Sequence, residues 1–123
     1  MKKIIYLFVM TMLVSRCASY WHSLPWSIDS NRRNLMKLEI GMAKQEVISV
    51  MGNPYNREAY ALPDGKPLEF LIYLTKYTDS GSIPDSDTTP ICFVDGKVTG
   101  WGRNFYEQQK QRYEIEIKQS SGH

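Results

Sequence analysis

From Ile4 to Val14 the chain is nearly uniformly apolar (IIYLFVMTMLV), and beyond it hydrophobic residues return only in periodic or alternating patches. Behind the basic start Met1-Lys2-Lys3, this first run reads as a secretory signal. Its eleven residues would form a helix about 16 Å long, roughly half a hydrocarbon core, so a permanent membrane span is the weaker reading.

The next patches carry helical periodicity. Asp29 to Leu38 predicts a short helix, capped by Asp29, Ser30 or Asn31, with Leu35 and Leu38 on one face. Glu39-Ile40-Gly41 then connects to a second helix. There, Met42 and Val47 stand at staple spacing around an N-cap at Ala43, and Glu46 sits three residues inside it. Val47, Val50 and Met51 form the apolar stripe, while Gly52 and Pro54 stop the helix. Ala43 has no side-chain oxygen, so half of the capping box is missing.

After residue 55 the period changes to two. Asn56–Ala61 is a candidate strand, followed by the turn chemistry of Pro63-Asp64-Gly65-Lys66. Leu68 to Thr75 alternates, which assigns Leu68, Phe70, Ile72 and Leu74 to a core face and Glu69, Tyr73 and Thr75 to the other. Residues 78–89 read as a polar loop. Ile91–Val94, Asp95-Gly96 and Lys97–Trp101 spell a two-residue type I′ hairpin, with Phe93 opposite Val98 and Ile91 on their face. In that register Cys92, Thr99 and Trp101 lie on the opposite face. From Asn104 the chain is charged, and a helix, an added strand or a disordered end all remain open. The expected class is α+β: two N-terminal helices packed on a three- to four-stranded antiparallel sheet.

Charge removes one class of function. The formal +2 is a property of the first residues: three of fifteen basic residues (Lys2, Lys3, Arg16) precede Cys17, and all thirteen acidic residues follow it. What remains is slightly acidic and lacks the basic footprint of a nucleic-acid binder. Catalytic motifs are absent too, with no HExxH, CxxC, Gly-x-Ser-x-Gly or P-loop. The two histidines, His22 and His123, lie far from Cys92 in sequence, and a Cys–His nucleophile needs a positioned base. Cys92 reads as a small buried hydrophobe, and Asp85-x-Asp87 as part of a solvated loop rather than a calcium site. No enzyme, cofactor, metal or small-molecule substrate is expected.

Val14-Ser15-Arg16-Cys17 resembles a lipobox, the bacterial signal whose cysteine thiol accepts a diacylglyceride. Arg16 stands where a small residue is usual, so cleavage after Ala18 or Ser19, or an uncleaved anchor, stays open. With Cys17 lipidated and Ala18-Ser19 behind it, the sorting rule of enteric bacteria points to the outer membrane. Tyr20, Trp21 and Trp26 could then sit at headgroup level or pack on the domain.

The motif GMxKxEV opening the second helix, its Gly52-Asn53-Pro54 stop, and DGKVxGWG in the hairpin together resemble the SmpA/OmlA (BamE-like) family of small outer-membrane lipoproteins. The likeness runs from about Leu35 to Arg103, with Ala43 where the family usually has Thr. It implies a BamE/BLIP-like two-layer sandwich divided as signal 1–17, linker 18–28, domain 29–106 and charged tail 107–123. It also implies a lipid anchor on the periplasmic face of the outer membrane, but it does not transfer a role, since the family includes members of none known. The expected function is a non-catalytic protein-binding or scaffold module, with an accessory part in outer-membrane β-barrel assembly or envelope integrity, bound to an outer-membrane protein or complex, as one form of it. The alternative is a periplasmic binding or inhibitor module for a soluble partner. For either partner the candidate binding residues are Tyr73, Trp101, Arg103 and Phe105, on the sheet face away from the helices.

Overall fold

The computed structural model describes residues 25–77 and 81–122, with side chains from Ile28 onward. The apolar N-terminal run, Cys17, His22 and the aromatic residues Tyr20, Trp21 and Trp26 fall outside the described side chains, as does His123. Helices α1 (Pro25–Leu35) and α2 (Lys44–Met51) precede strands β1 (Asn56–Ala61), β2 (Pro67–Leu74), β3 (Thr88–Val94) and β4 (Lys97–Trp101). Helix α3 (Arg103–Ser121) ends the fold. The strands form one antiparallel sheet in the order β1-β2-β3-β4. The α+β class and the antiparallel sheet are as the sequence predicts.

Helix α2 starts at the predicted cap. Glu46 Oε2 accepts the Ala43 N–H at 2.8 Å, the half of the capping box that Ala43 leaves available. Gly52, at φ +78°, ends the helix and donates its N–H to the Ile48 carbonyl at 2.8 Å. Helix α1 is shifted toward the N-terminus relative to the expectation. Two of its asparagines fasten it: Asn31 donates to the Leu74 carbonyl at 2.9 Å and Asn34 to the Val50 carbonyl at 2.8 Å.

The two motifs behind the family resemblance touch each other. Gly41 N–H donates to the Val98 carbonyl and Val98 N–H to the Met42 carbonyl, at 2.8 and 2.9 Å. Lys44 N–H reaches the Gly96 carbonyl at 2.9 Å. The segment before α2 therefore lines the outer edge of β4 and satisfies its backbone groups. Asp95 and Gly96 both have positive φ (52° and 75°), the conformation of the predicted I′ turn.

Both faces of the sheet are buried, and this changes the picture drawn from alternation. Leu71, Tyr73, Ile91, Phe93 and Val98 meet Leu38, Val47 and Met51 on the side of α1 and α2. Leu68, Phe70, Ile72 and Cys92 meet Tyr106 of α3 on the other side, with Phe105 and Tyr113 packed against them. Thus Phe70 and Phe93, read as sharing one core, lie on opposite faces. The charged C-terminal segment supplies a third layer, because Phe105, Tyr106 and Tyr113 put an aromatic stripe on one side of an otherwise polar helix.

A bulge accounts for a second difference. Phe93 pairs with Val98 as expected, but Cys92 pairs with Gly100, so Thr99 is the extra residue. Past that point the side chains of β4 exchange faces. Gly100 turns toward α3, and Trp101 packs against the α1/α2 core instead of lying opposite it.

Candidate functional site

The four residues expected to form one binding face do not share one. Tyr73 is fully buried beneath the end of α2, where its hydroxyl donates to the Gly52 carbonyl at 2.9 Å. Burial pushes its pKa up to about 12. It is core and cannot face a partner. Trp101 is half-buried on that same side. Arg103 and Phe105 belong to α3 on the far side. Arg103 Nη2 donates to the Asp85 carbonyl at 2.7 Å and to Thr88 Oγ1 at 2.6 Å, and its guanidinium lies 5.0 Å from the Tyr106 ring centre. It clasps the 3₁₀ turn Asp85–Asp87 to the start of α3, which gives these aspartates a structural setting. The Phe105 ring presses on Gly100.

Two polar clusters flank the sheet. On the α3 side, Glu58 accepts from the Tyr60 hydroxyl at 2.8 Å and from the Tyr106 hydroxyl at 2.9 and 3.0 Å. Lys110 donates to the Tyr106 oxygen at 3.1 Å and stands 3.9 Å from Glu58. Burial, with Glu58 alongside, raises the pKa of Tyr60; burial likewise raises that of Tyr106. The Tyr106 hydroxyl in turn holds the Lys110 ammonium above its usual range. On the other side Glu69, buried at 6% exposure, accepts from Lys44 and Arg57, each at 2.9 Å. Each carboxylate ties elements together: Glu58 joins β1 to α3, and Glu69 joins β2 to the first turn of α2 and to β1.

Cys92 is a buried free thiol in β3, and burial pushes its pKa up, so it is a poor nucleophile at neutral pH. A cavity of about 190 Å³ under α3 is bounded by Leu62, Leu68, Val94 and Tyr113, with Arg112 and Glu116 at its rim. That is smaller than the roughly 300–1,000 Å³ typical of ligand sites, and the larger depression beside it, about 580 Å³ between Leu62–Asp64 and the end of α3, lies open to solvent. Among the described residues no group of three His, Cys, Asp or Glu side chains could hold a metal ion, and no helix is long and apolar enough to cross a membrane.

The surface that stands out lies between α1 and α2. Met36 is 88% exposed and Ile40 66% exposed, the two most exposed large hydrophobic side chains among the described residues. Arg32, Arg33, Lys37 and Glu39, close by in sequence, are exposed as well. Both stand in the connection between the helices, after α1 ends at Leu35 and before α2 begins at Lys44, where Leu38 is the residue that turns into the core. In the sequence the signal for these two is that they are apolar residues off the Leu35–Leu38 face.

Comparison with protein-family models matches residues 13–108 to "Protein of unknown function (DUF3192)". No curated protein and no solved structure matches the chain.

Proposed function

The chain belongs to the DUF3192 family of proteins of unknown function, and from that premise we propose that it is a non-catalytic binding module tethered to the bacterial envelope, presenting the Met36–Ile40 surface to a protein partner. The observation that carries this reading is the exposure of Met36 and Ile40 in one short connection, with exposed Arg32, Arg33 and Lys37 close by in sequence. Exposed apolar groups with a polar rim mark interaction sites, and Met and Arg are enriched at protein interfaces. The signal-like run and Cys17 support the tether, and the slightly acidic composition after Cys17 disfavours nucleic acid. The partly buried Glu58, the buried Glu69 and the buried Cys92 are each engaged in holding the scaffold, which supports a binding role over chemistry.

The SmpA/OmlA resemblance makes the barrel-assembly machinery of the outer membrane the first partner to test. The two stretches that carry the resemblance meet at the β4 edge and close it, a part in the fold that carries no partner specificity. The experiment is co-purification of tagged full-length protein from gently solubilised envelopes, compared with the Met36→Asp/Ile40→Asp double variant. Stoichiometric recovery of the assembly complex by wild type and its loss in the variant, at unchanged melting temperature, supports the proposal. A different partner lost in the same way moves the function to the soluble-partner alternative. A partner retained by the variant removes this surface from the account.

A further inference from the structure

The two edges of the sheet are treated differently. The β4 edge is covered by the backbone of residues 41–44. No element among the described residues pairs with the outer side of β1. Leu62 N–H donates to the Lys66 carbonyl at 2.9 Å, continuing the β1–β2 register. Residues 60, 58 and 56 therefore turn their backbone groups inward, and those of Arg57, Ala59 and Ala61 point outward. The Arg57 N–H is held by Asn56 Oδ1 at 2.8 Å; the groups of Ala59 and Ala61 have no strand beside them, and both residues are exposed.

The usual protections of an open edge are weak here. β1 contains no proline or bulge, and both of its charges are engaged within the chain. Arg57 pairs with Glu69, and Glu58 is held by Tyr60, Tyr106 and Lys110.

We propose that β1 pairs antiparallel with β1 of a second copy of this chain, with Ala59 on the two-fold axis. Directly opposed residues must share a face, which limits the axis to a whole residue position. An axis at Arg57 or Glu58 would set like charges face to face. At Ala59, Arg57 faces Ala61 of the other copy and Glu58 faces its Tyr60, so that no like charges oppose each other. Ala59 exchanges both hydrogen bonds with its counterpart, and each Ala61 N–H meets an Arg57 carbonyl. The two four-stranded sheets become one continuous sheet, and both open edges disappear.

The test is disulfide trapping in cells producing the full chain. At a hydrogen-bonded antiparallel pair the α-carbons stand about 5.5 Å apart, within disulfide range. Ala59→Cys should therefore give a covalent dimer under mild oxidation. In the same register two copies of position 61 lie about 13 Å apart along the strands, out of reach. The expected result is at least tenfold more dimer from Ala59→Cys than from Ala61→Cys, with matching melting temperatures. Equal yields, or none from either variant, would overturn the pairing. So would an Ala59→Cys adduct whose mass is that of a different protein, which would assign the edge to another chain.

Discussion

Replacing Gly100 by alanine should destabilise the protein through one ring. An added Cβ would lie 2.7–2.8 Å from three carbons of Phe105, closer than real contacts allow. Gly100 is not among the positive-φ glycines, so alanine meets no backbone strain there. Overpacking of this kind costs about 1–3 kcal/mol, as the Phe105 ring is forced off its rotamer or the start of α3 is lifted from the sheet. For a domain of this size about 2 kcal/mol lowers Tm by roughly 8–16 °C. Phe105→Ala alone should cost less than the roughly 3–5 kcal/mol of a fully buried ring, because Phe105 is only half-buried. In that background Gly100→Ala should reverse sign and gain about 0.4–1 kcal/mol, since only the unfolded-state entropy of glycine then counts. The assay is a four-member cycle of urea or thermal melts, and the expected coupling is about 2–3 kcal/mol in favour of the double variant. Additive effects would refute the reasoning and remove α3 from its place on this face.

Three further outcomes follow from particular groups. Ala43→Thr completes the capping box begun by Glu46 and should raise stability by about 0.5–1.5 kcal/mol in a thermal melt. Tyr73 has its pKa raised from 10.0 to about 12, so the folded state favours the neutral phenol. Stability from this group is complete below pH 10 and lost as pH rises toward 12; denaturant melts across that window should show the loss, and Tyr73→Phe should flatten it. Finally, Glu69 is buried while Lys44 and Arg57 reach solvent. Glu69→Gln should therefore cost about 1–2 kcal/mol, and the Lys44→Ala/Arg57→Ala double about 3–5 kcal/mol because it strands a buried carboxylate. Equal costs in urea melts would show that the carboxylate is better solvated than its burial indicates.

Local chemistry was legible and long-range cover was not. The cap at Ala43 and the Asp95-Gly96 turn depend on neighbours in sequence, and both stand where the residues place them. The second layer of helix was hidden because its stripe is made of Phe105, Tyr106 and Tyr113 among polar residues such as Gln109 and Glu116. One signal was present: six of the seven residues in Leu68–Leu74 are apolar, as expected of a strand covered on both faces, and reading it as an alternation placed Tyr73 outside. Trp101 was misplaced for a different reason. A bulge at Thr99 reverses all side-chain directions after it; Gly100, a glycine inside the strand, is the signal for such a break, but it does not fix which residue is the extra one.

The central claim, a binding surface at Met36 and Ile40, is tested most directly by photo-crosslinking from defined positions in cells. A photoreactive amino acid is placed at 36 or 40, and at exposed Glu107 on α3 as the comparison. The account predicts one discrete protein adduct from positions 36 and 40 and none from 107. An adduct from 107 alone, or the same smear from all three, would contradict it.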